Sequence, residues 1–157
     1  MKIAVFPGSF DPVTKGHIDI LKQAEGLFDK IYAAVLVNTT KNTMFTAAER
    51  VEMLKLAVSD IENVEVGSFS GFTTDYCKAV GAKYIIRGIR NSADLDYEKT
   101  LSFSYNVAAP DIKKVYFIPD NEYACVTSTL ARELIIHNKD KKTVLPESVI
   151  NYLKENK

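Results

Sequence analysis

Five short runs of β-branched and aromatic residues, separated by amphipathic stretches, constrain this chain more than any other feature. The runs are Lys2–Phe6, Ile31–Val37, Val64–Val66, Tyr84–Ile86 and Val115–Ile118. Each is brief and largely apolar, the pattern of a parallel strand covered on both faces. Between them, Ile18, Leu21, Ala24 and Leu27 recur at spacings of three and line one face of a helix. Val51, Leu54, Ala57, Val58 and Ile61 line another. Strands alternating with helices imply right-handed crossovers between parallel strands. The expected fold class is α/β: a Rossmann-like, doubly wound, parallel five-stranded sheet with helices on both faces.

Local signals agree. Thr46-Ala47-Ala48-Glu49 fits a capping box, and Pro146-Glu147 suits the first turn of a last helix. With 157 residues and no repeat or linker, residues 1–157 read as one domain. Twenty basic side chains balance twenty acidic ones, which argues against a dedicated nucleic-acid or membrane-surface binder. No apolar run reaches the roughly 20 residues of a spanning helix. Ile3-Ala4-Val5-Phe6 meets Pro7-Gly8 too early for a signal peptide, so cytoplasmic residence is expected. Cys77 and Cys125 lie far apart and read as reduced thiols. With only His17 and His137 beside them, no metal-ligand cluster is expected.

In open parallel sheets, ligands bind beyond the carboxyl ends of the strands, where the strand order reverses. The chemically interesting residues fall there. After the first run comes Gly8-Ser9-Phe10-Asp11-Pro12, then Thr14-Lys15-Gly16-His17 at a helix start, where free N–H groups and the dipole favour an anion. After the fourth, Arg87-Gly88-Ile89-Arg90 sets two arginines around a glycine, and arginine forks onto phosphate. Burying that pair without an anion would be costly. After the fifth, Val126-Thr127-Ser128-Thr129 offers three hydroxyl donors at another helix start, with Arg132 beyond. Lys41 follows the second run. Each element also has an ordinary reading: a capping histidine, solvated arginines, plain helix caps, a solvent-facing lysine. Together, four strand ends suited to phosphate suggest a ligand with several phosphates.

Gly8-Ser9-Phe10-Asp11-Pro12 with Thr14-x-Gly16-His17, Arg87-Gly88-Ile89-Arg90, and Thr127-Ser128-Thr129-x-x-Arg132 resemble the nucleotidyltransferase superfamily, with its T/H-x-G-H and I-S-S-T-x-x-R signatures. More closely, the chain is similar to the bacterial phosphopantetheine adenylyltransferase family. Met44-Phe45-Thr46, Glu49-Arg50, Asp96-Tyr97-Glu98 and Leu145-Pro146 extend the likeness over nearly the whole chain.

The resemblance implies transfer of the adenylyl group of ATP to 4′-phosphopantetheine, with Mg²⁺ accompanying ATP. It implies His17, Lys41 and Arg90 as catalytic residues. ATP would meet Ser9, Phe10, His17, Gly88, Ile89, Arg90, Glu98, Tyr123, Ala124, Cys125, Val126, Thr127, Ser128 and Thr129. The acceptor would meet Ser9, Lys41, Thr73 and Arg87. A homohexamer, with coenzyme A as a feedback ligand, is implied as well. The chain departs from the family's usual pattern at Thr73, Thr74 and Ser104-Tyr105-Asn106, all on the acceptor side. Alternatives are a superfamily enzyme acting on another phosphorylated acceptor, adenylylating nicotinamide mononucleotide or cytidylylating a phospho-alcohol, and a non-catalytic nucleotide-binding regulator.

Overall fold

The computed structural model describes residues 1–38, 40 and 42–156. Five strands alternate with helices: β1 (Ile3–Gly8), α1 (Lys15–Glu25), β2 (Lys30–Leu36), α2 (Ala47–Ala57), β3 (Val64–Phe69), α3 (Thr73–Ala79), β4 (Tyr84–Gly88), α4 (Ser92–Ala108), β5 (Lys113–Phe117), α5 (Ser128–Ile136) and α6 (Glu147–Glu155). All pairings are parallel, in the order β3-β2-β1-β4-β5. The doubly wound sheet expected from the alternation is the fold observed.

Side chains alternate across a strand, so one strand feeds both faces. Ala4 and Phe6 of β1, Ala33 and Val35 of β2 and Ile86 of β4 pack with Leu21 and Ala24 of α1, Met53 and Leu54 of α2, and Val149 of α6. Val5, Ala34 and Ile85 face the other way, onto Phe69, Cys77 of α3, Ala109 and Ile112. The second layer is the thinner one. Across all 17 residues of α4, only Glu98 is buried.

Several expected ends need adjusting: α2 stops at Ala57, so Val58 and Ile61 join the core from beyond it, β3 runs on to Phe69, and β5 covers Lys113–Phe117 and leaves Ile118 outside. Leu27 is 56% exposed, because α1 ends at Glu25 and Gly26 caps it; Ile20 fills the face instead. Pro146 sits at the cap position, one residue before α6 begins. The Thr46–Glu49 capping box forms as read, with the Thr46 N–H donating to Glu49 Oε2 at 2.7 Å and the Glu49 N–H to Thr46 Oγ1 at 3.3 Å. Among the described residues, no helix is long and apolar enough to cross a membrane.

Candidate active site

The strand order reverses between β1 and β4, and the sheet opens there. β1 pairs with β2 along its whole length, from Ile3↔Lys30 to Gly8↔Val35. It pairs with β4 only at Ala4↔Tyr84 and Val5↔Ile85. Pro7, which lacks an N–H, sits in the strand just past that last pair. Beyond it lies a cavity of about 560 Å³, walled by the β1–α1 loop, the end of β4 and the first turn of α5.

Thr14, Gly16 and His17 form one edge of it. The Thr14 N–H donates to His17 Nδ1 at 3.0 Å, and Thr14 Oγ1 lies at the same distance. A ring nitrogen that accepts from a backbone amide carries no proton, so the proton sits on Nε2. Burial, helped by the charge of Arg90, lowers the His17 pKa from 6.5 to about 4. The ring is therefore neutral at pH 7, its Nδ1 lone pair is occupied, and Nε2–H is a donor. It is not placed to be a base.

Two glycines and one aromatic ring set this edge. A Cβ on Gly16 would lie 3.4 Å from Val126 O and 3.8 Å from Tyr123 O, so α1 starts in close contact with the chain before α5. A Cβ on Gly8 would come within 3.0 Å of the Phe10 ring. Phe10 itself has φ of +47° and is 1% exposed. Its ring meets His17 edge-on, at 5.0 Å between centroids. The Phe10 ring is thus a buttress for His17.

Each cavity arginine has a carboxylate of its own. Arg87 Nε donates to Glu98 Oε1 at 2.7 Å, and its Nη2 lies 2.5 Å from the same oxygen. Arg90 pairs with Asp94 at 3.1 Å, and Arg132 Nη1 lies 3.7 Å from Asp11 Oδ2. The expectation that the arginine pair needs a bound anion is corrected here, because the protein neutralises both. Burial opposes ionisation of Asp94, yet the Arg90 amide and guanidinium outweigh it and hold its carboxyl below the usual range. Glu98 is 3% exposed, and its Oε2 has no partner among the described residues.

The start of α5 is the second anion-facing edge. Thr127 caps it, its side chain accepting from the Leu130 N–H. The Ser128 and Thr129 N–H groups donate to no described residue. Three hydroxyl donors were expected, and one is spent: Ser128 Oγ donates to Pro12 O at 2.8 Å. Arg132 Nη2 donates to Thr129 Oγ1, which leaves the Thr129 hydroxyl proton free. The helix start still offers two amides and two hydroxyls.

Of the expected site residues, Ser9, Phe10, His17, Arg87, Gly88, Arg90, Tyr123, Val126, Thr127, Ser128 and Thr129 line the cavity. Ile89, Glu98, Ala124 and Cys125 lie off its wall; the Ile89 N–H is tied to Phe117 O at 2.8 Å. Thr73 is buried at the first turn of α3, the helix that follows β3 and packs against β1, and it does not line this cavity. Lys41 falls outside the described residues.

Two residues that touch the site were given no role from sequence. Asp11 is 4% exposed, and its carboxylate accepts from the Met44 and Phe45 N–H groups, both at 2.9 Å. Arg50 is 3% exposed and donates to Ser9 O at 2.7 Å. A signal for Arg50 was present: it occupies the apolar stripe shared by Leu54, Ala57 and Ile61 at spacings of four, three and four.

Residues 5–134 match the family model described as cytidylyltransferase-like, which defines the class of protein this fold and site belong to. Phosphopantetheine adenylyltransferase of Limosilactobacillus reuteri (strain DSM 20016) is 40% identical over 155 residues, covering 99% of this chain and 90% of that protein. The protein of the same name from Leptospira biflexa serovar Patoc (strain Patoc 1 / Ames) is 40% identical over 147 residues, covering 94% and 92%. That of Lachnoclostridium phytofermentans is 37% identical over 153 residues, covering 98% and 94%. The chain belongs to the phosphopantetheine adenylyltransferase family within the cytidylyltransferase-like group.

Proposed function

We propose that this chain, acting as one nucleotidyltransferase domain over residues 1–157, reversibly transfers the adenylyl group of ATP to 4′-phosphopantetheine. The products are dephospho-coenzyme A and pyrophosphate. One observation carries this: the starts of α1 and α5 converge on one cavity with a neutral histidine donor and three arginines. The names of the relatives supply the acceptor.

An acceptor phosphate is already ionised at pH 7, so the reaction asks for no protein base. Its oxygen attacks the α-phosphorus of ATP in line, the bond to the β-phosphate oxygen breaks, and pyrophosphate leaves. The protein positions two anions and stabilises the charge that shifts between them. Such positioning is worth up to roughly 7–11 kcal/mol in ideal geometry. Arg87 and Lys41 hold the acceptor phosphate, with Ser9 beside it. Arg90, Gly88 and the start of α5 hold the ATP phosphates. His17 donates through Nε2–H to an oxygen of the α-phosphoryl group. Magnesium enters with ATP as part of the co-substrate, held through phosphate oxygens and water. The site's carboxylates, Asp11, Asp94 and Glu98, face arginines rather than open cavity, which fits that reading.

A second reading keeps the chemistry and changes the acceptor, because Thr73 and Thr74 put two buried hydroxyls where the family has an aliphatic pair. Pyrophosphate release from MgATP separates the two. Release with 4′-phosphopantetheine and none with nicotinamide mononucleotide is the expected outcome. Release with nicotinamide mononucleotide alone would overturn the acceptor, and silence with both would favour a nucleotide-binding regulator.

The cytoplasmic, reducing setting fits two free cysteines, one of them exposed. The homohexamer fits the outward apolar side chains Phe103 and Val107 of α4 and Ile118 past β5, each more than 70% exposed. Coenzyme A, as the acceptor arm joined to a nucleotide, would feed back by competing for the cavity. Sedimentation mass, with and without coenzyme A, and inhibition by it decide these points; a monomer unaffected by coenzyme A would contradict both.

A further inference from the structure

Asp11 and Arg50 hold three separate segments of the site together. Arg50 Nη1 donates to Ser9 O at 2.7 Å and to Leu36 O at 3.1 Å, and its Nε to Phe45 O at 3.2 Å. Asp11 Oδ2 and Oδ1 accept from the Met44 and Phe45 amides. Arg132 of α5 donates to Asp11 O at 2.8 Å. One carboxylate and one guanidinium, both nearly fully buried, thus join the β1–α1 loop, the end of β2 and the chain entering α2.

This is an unusual use of two buried charges. The nearest Asp11 carboxylate oxygen to a cation stands 3.7 Å from Arg132, and Arg50 has no carboxylate partner among the described residues. Replacing charged pairs by apolar residues of similar volume is often neutral for stability. A charge whose bonds go to backbone atoms in several loops fixes geometry, and those loops carry the expected chemistry. Ser9 and His17 lie on one side of the join. Lys41 lies in the chain between Leu36 and Met44, the two anchored ends of the β2–α2 connection.

We propose that Asp11 and Arg50 are positioning residues for adenylyl transfer, which set the end of β2 and the Met44–Phe45 backbone against the Ser9–His17 edge. The inference rests on the reaction proposed above. Asp11 touches no reacting atom; it fixes the Met44–Phe45 backbone, and Arg50 fixes the Ser9 carbonyl. Misplacement of reacting groups by about 1 Å can cost 10²-fold in rate, so loss of this join should act on turnover more than on ATP affinity.

The test compares Asp11→Asn with wild type in MgATP-dependent pyrophosphate release, alongside thermal melting and MgATP titration. Asparagine keeps the volume but must turn an NH₂ toward one of two amides. The expected result is a kcat per folded protein lowered roughly 10- to 100-fold, a raised acceptor KM and a nearly unchanged MgATP affinity. Arg50→Lys, which keeps the charge but cannot reach three carbonyls, should move the same constants in the same direction. It also answers the question if Asp11→Asn does not fold. A lowered melting temperature with kcat and both affinities unchanged would assign a merely structural role and overturn the inference alone. A wild type that releases no pyrophosphate would overturn the proposed reaction, and this inference with it.

Discussion

Replacing His17 by alanine is expected to lower kcat by roughly 10²–10³, the scale for removing one preorganised donor to a transition state. The expectation follows from the protonation state of the ring. With Nδ1 accepting from the Thr14 amide and the pKa lowered to about 4, Nε2–H is a fixed donor that need not lose or gain a proton during the reaction. A bond that strengthens only as charge shifts in the transition state raises kcat and contributes little to ground-state binding. MgATP affinity should therefore fall far less than kcat. The substitution also leaves the Thr14 N–H without its acceptor, at a stability cost of about 1–3 kcal/mol. Rates must be referred to folded protein, measured by circular dichroism. An unchanged kcat would remove His17 from the mechanism.

Arg87→Met should destabilise the protein by about 3 kcal/mol, because it leaves the buried Glu98 carboxylate without its ion-pair partner. Arg87 is itself 23% exposed in its side chain, which sets the figure at the low end of the range for broken buried pairs. Converting Glu98 to glutamine in the same chain removes the stranded charge. Arg87→Met/Glu98→Gln is expected to recover most of the lost stability in urea melts. It should not recover turnover or acceptor affinity, since the phosphate-binding cation remains absent. Recovery of both would mean that Arg87 serves only to neutralise Glu98. No loss in the single variant would mean that the buried carboxylate is satisfied some other way.

The fold was legible because its signals are local and repeated. Strand runs bounded by Pro7-Gly8 or by helix caps fixed the element order, and their apolar character on both faces implied a parallel sheet. Ends were less legible. Leu27 continued the i+3 pattern of α1, yet pattern alone does not reveal where Gly26 stops the helix. The site was legible as residue types at strand ends and as motif. Its pairings were not. Nothing in Arg87-Gly88-Ile89-Arg90 announces that Glu98, eleven residues on, turns inward to meet Arg87. Likewise, Ser128 gives its proton to Pro12, a partner 116 positions away. Hydrogen-bond partners between distant segments depend on tertiary geometry, which periodicity does not encode. Arg50 differs, because its place in the pattern already carries a physical requirement. A charge on a buried stripe must be satisfied, and backbone carbonyls at the neighbouring strand ends are the natural acceptors.

The most direct test of a single-step transfer is the stereochemistry at the α-phosphorus. ATP carrying one sulfur on that phosphorus, in a defined configuration, is turned over with 4′-phosphopantetheine, and the product's configuration is read. Direct attack by the acceptor phosphate, with His17 as donor and no side chain as nucleophile, predicts inversion. Retention would require two displacements through an adenylylated residue, and would contradict the mechanism at its centre.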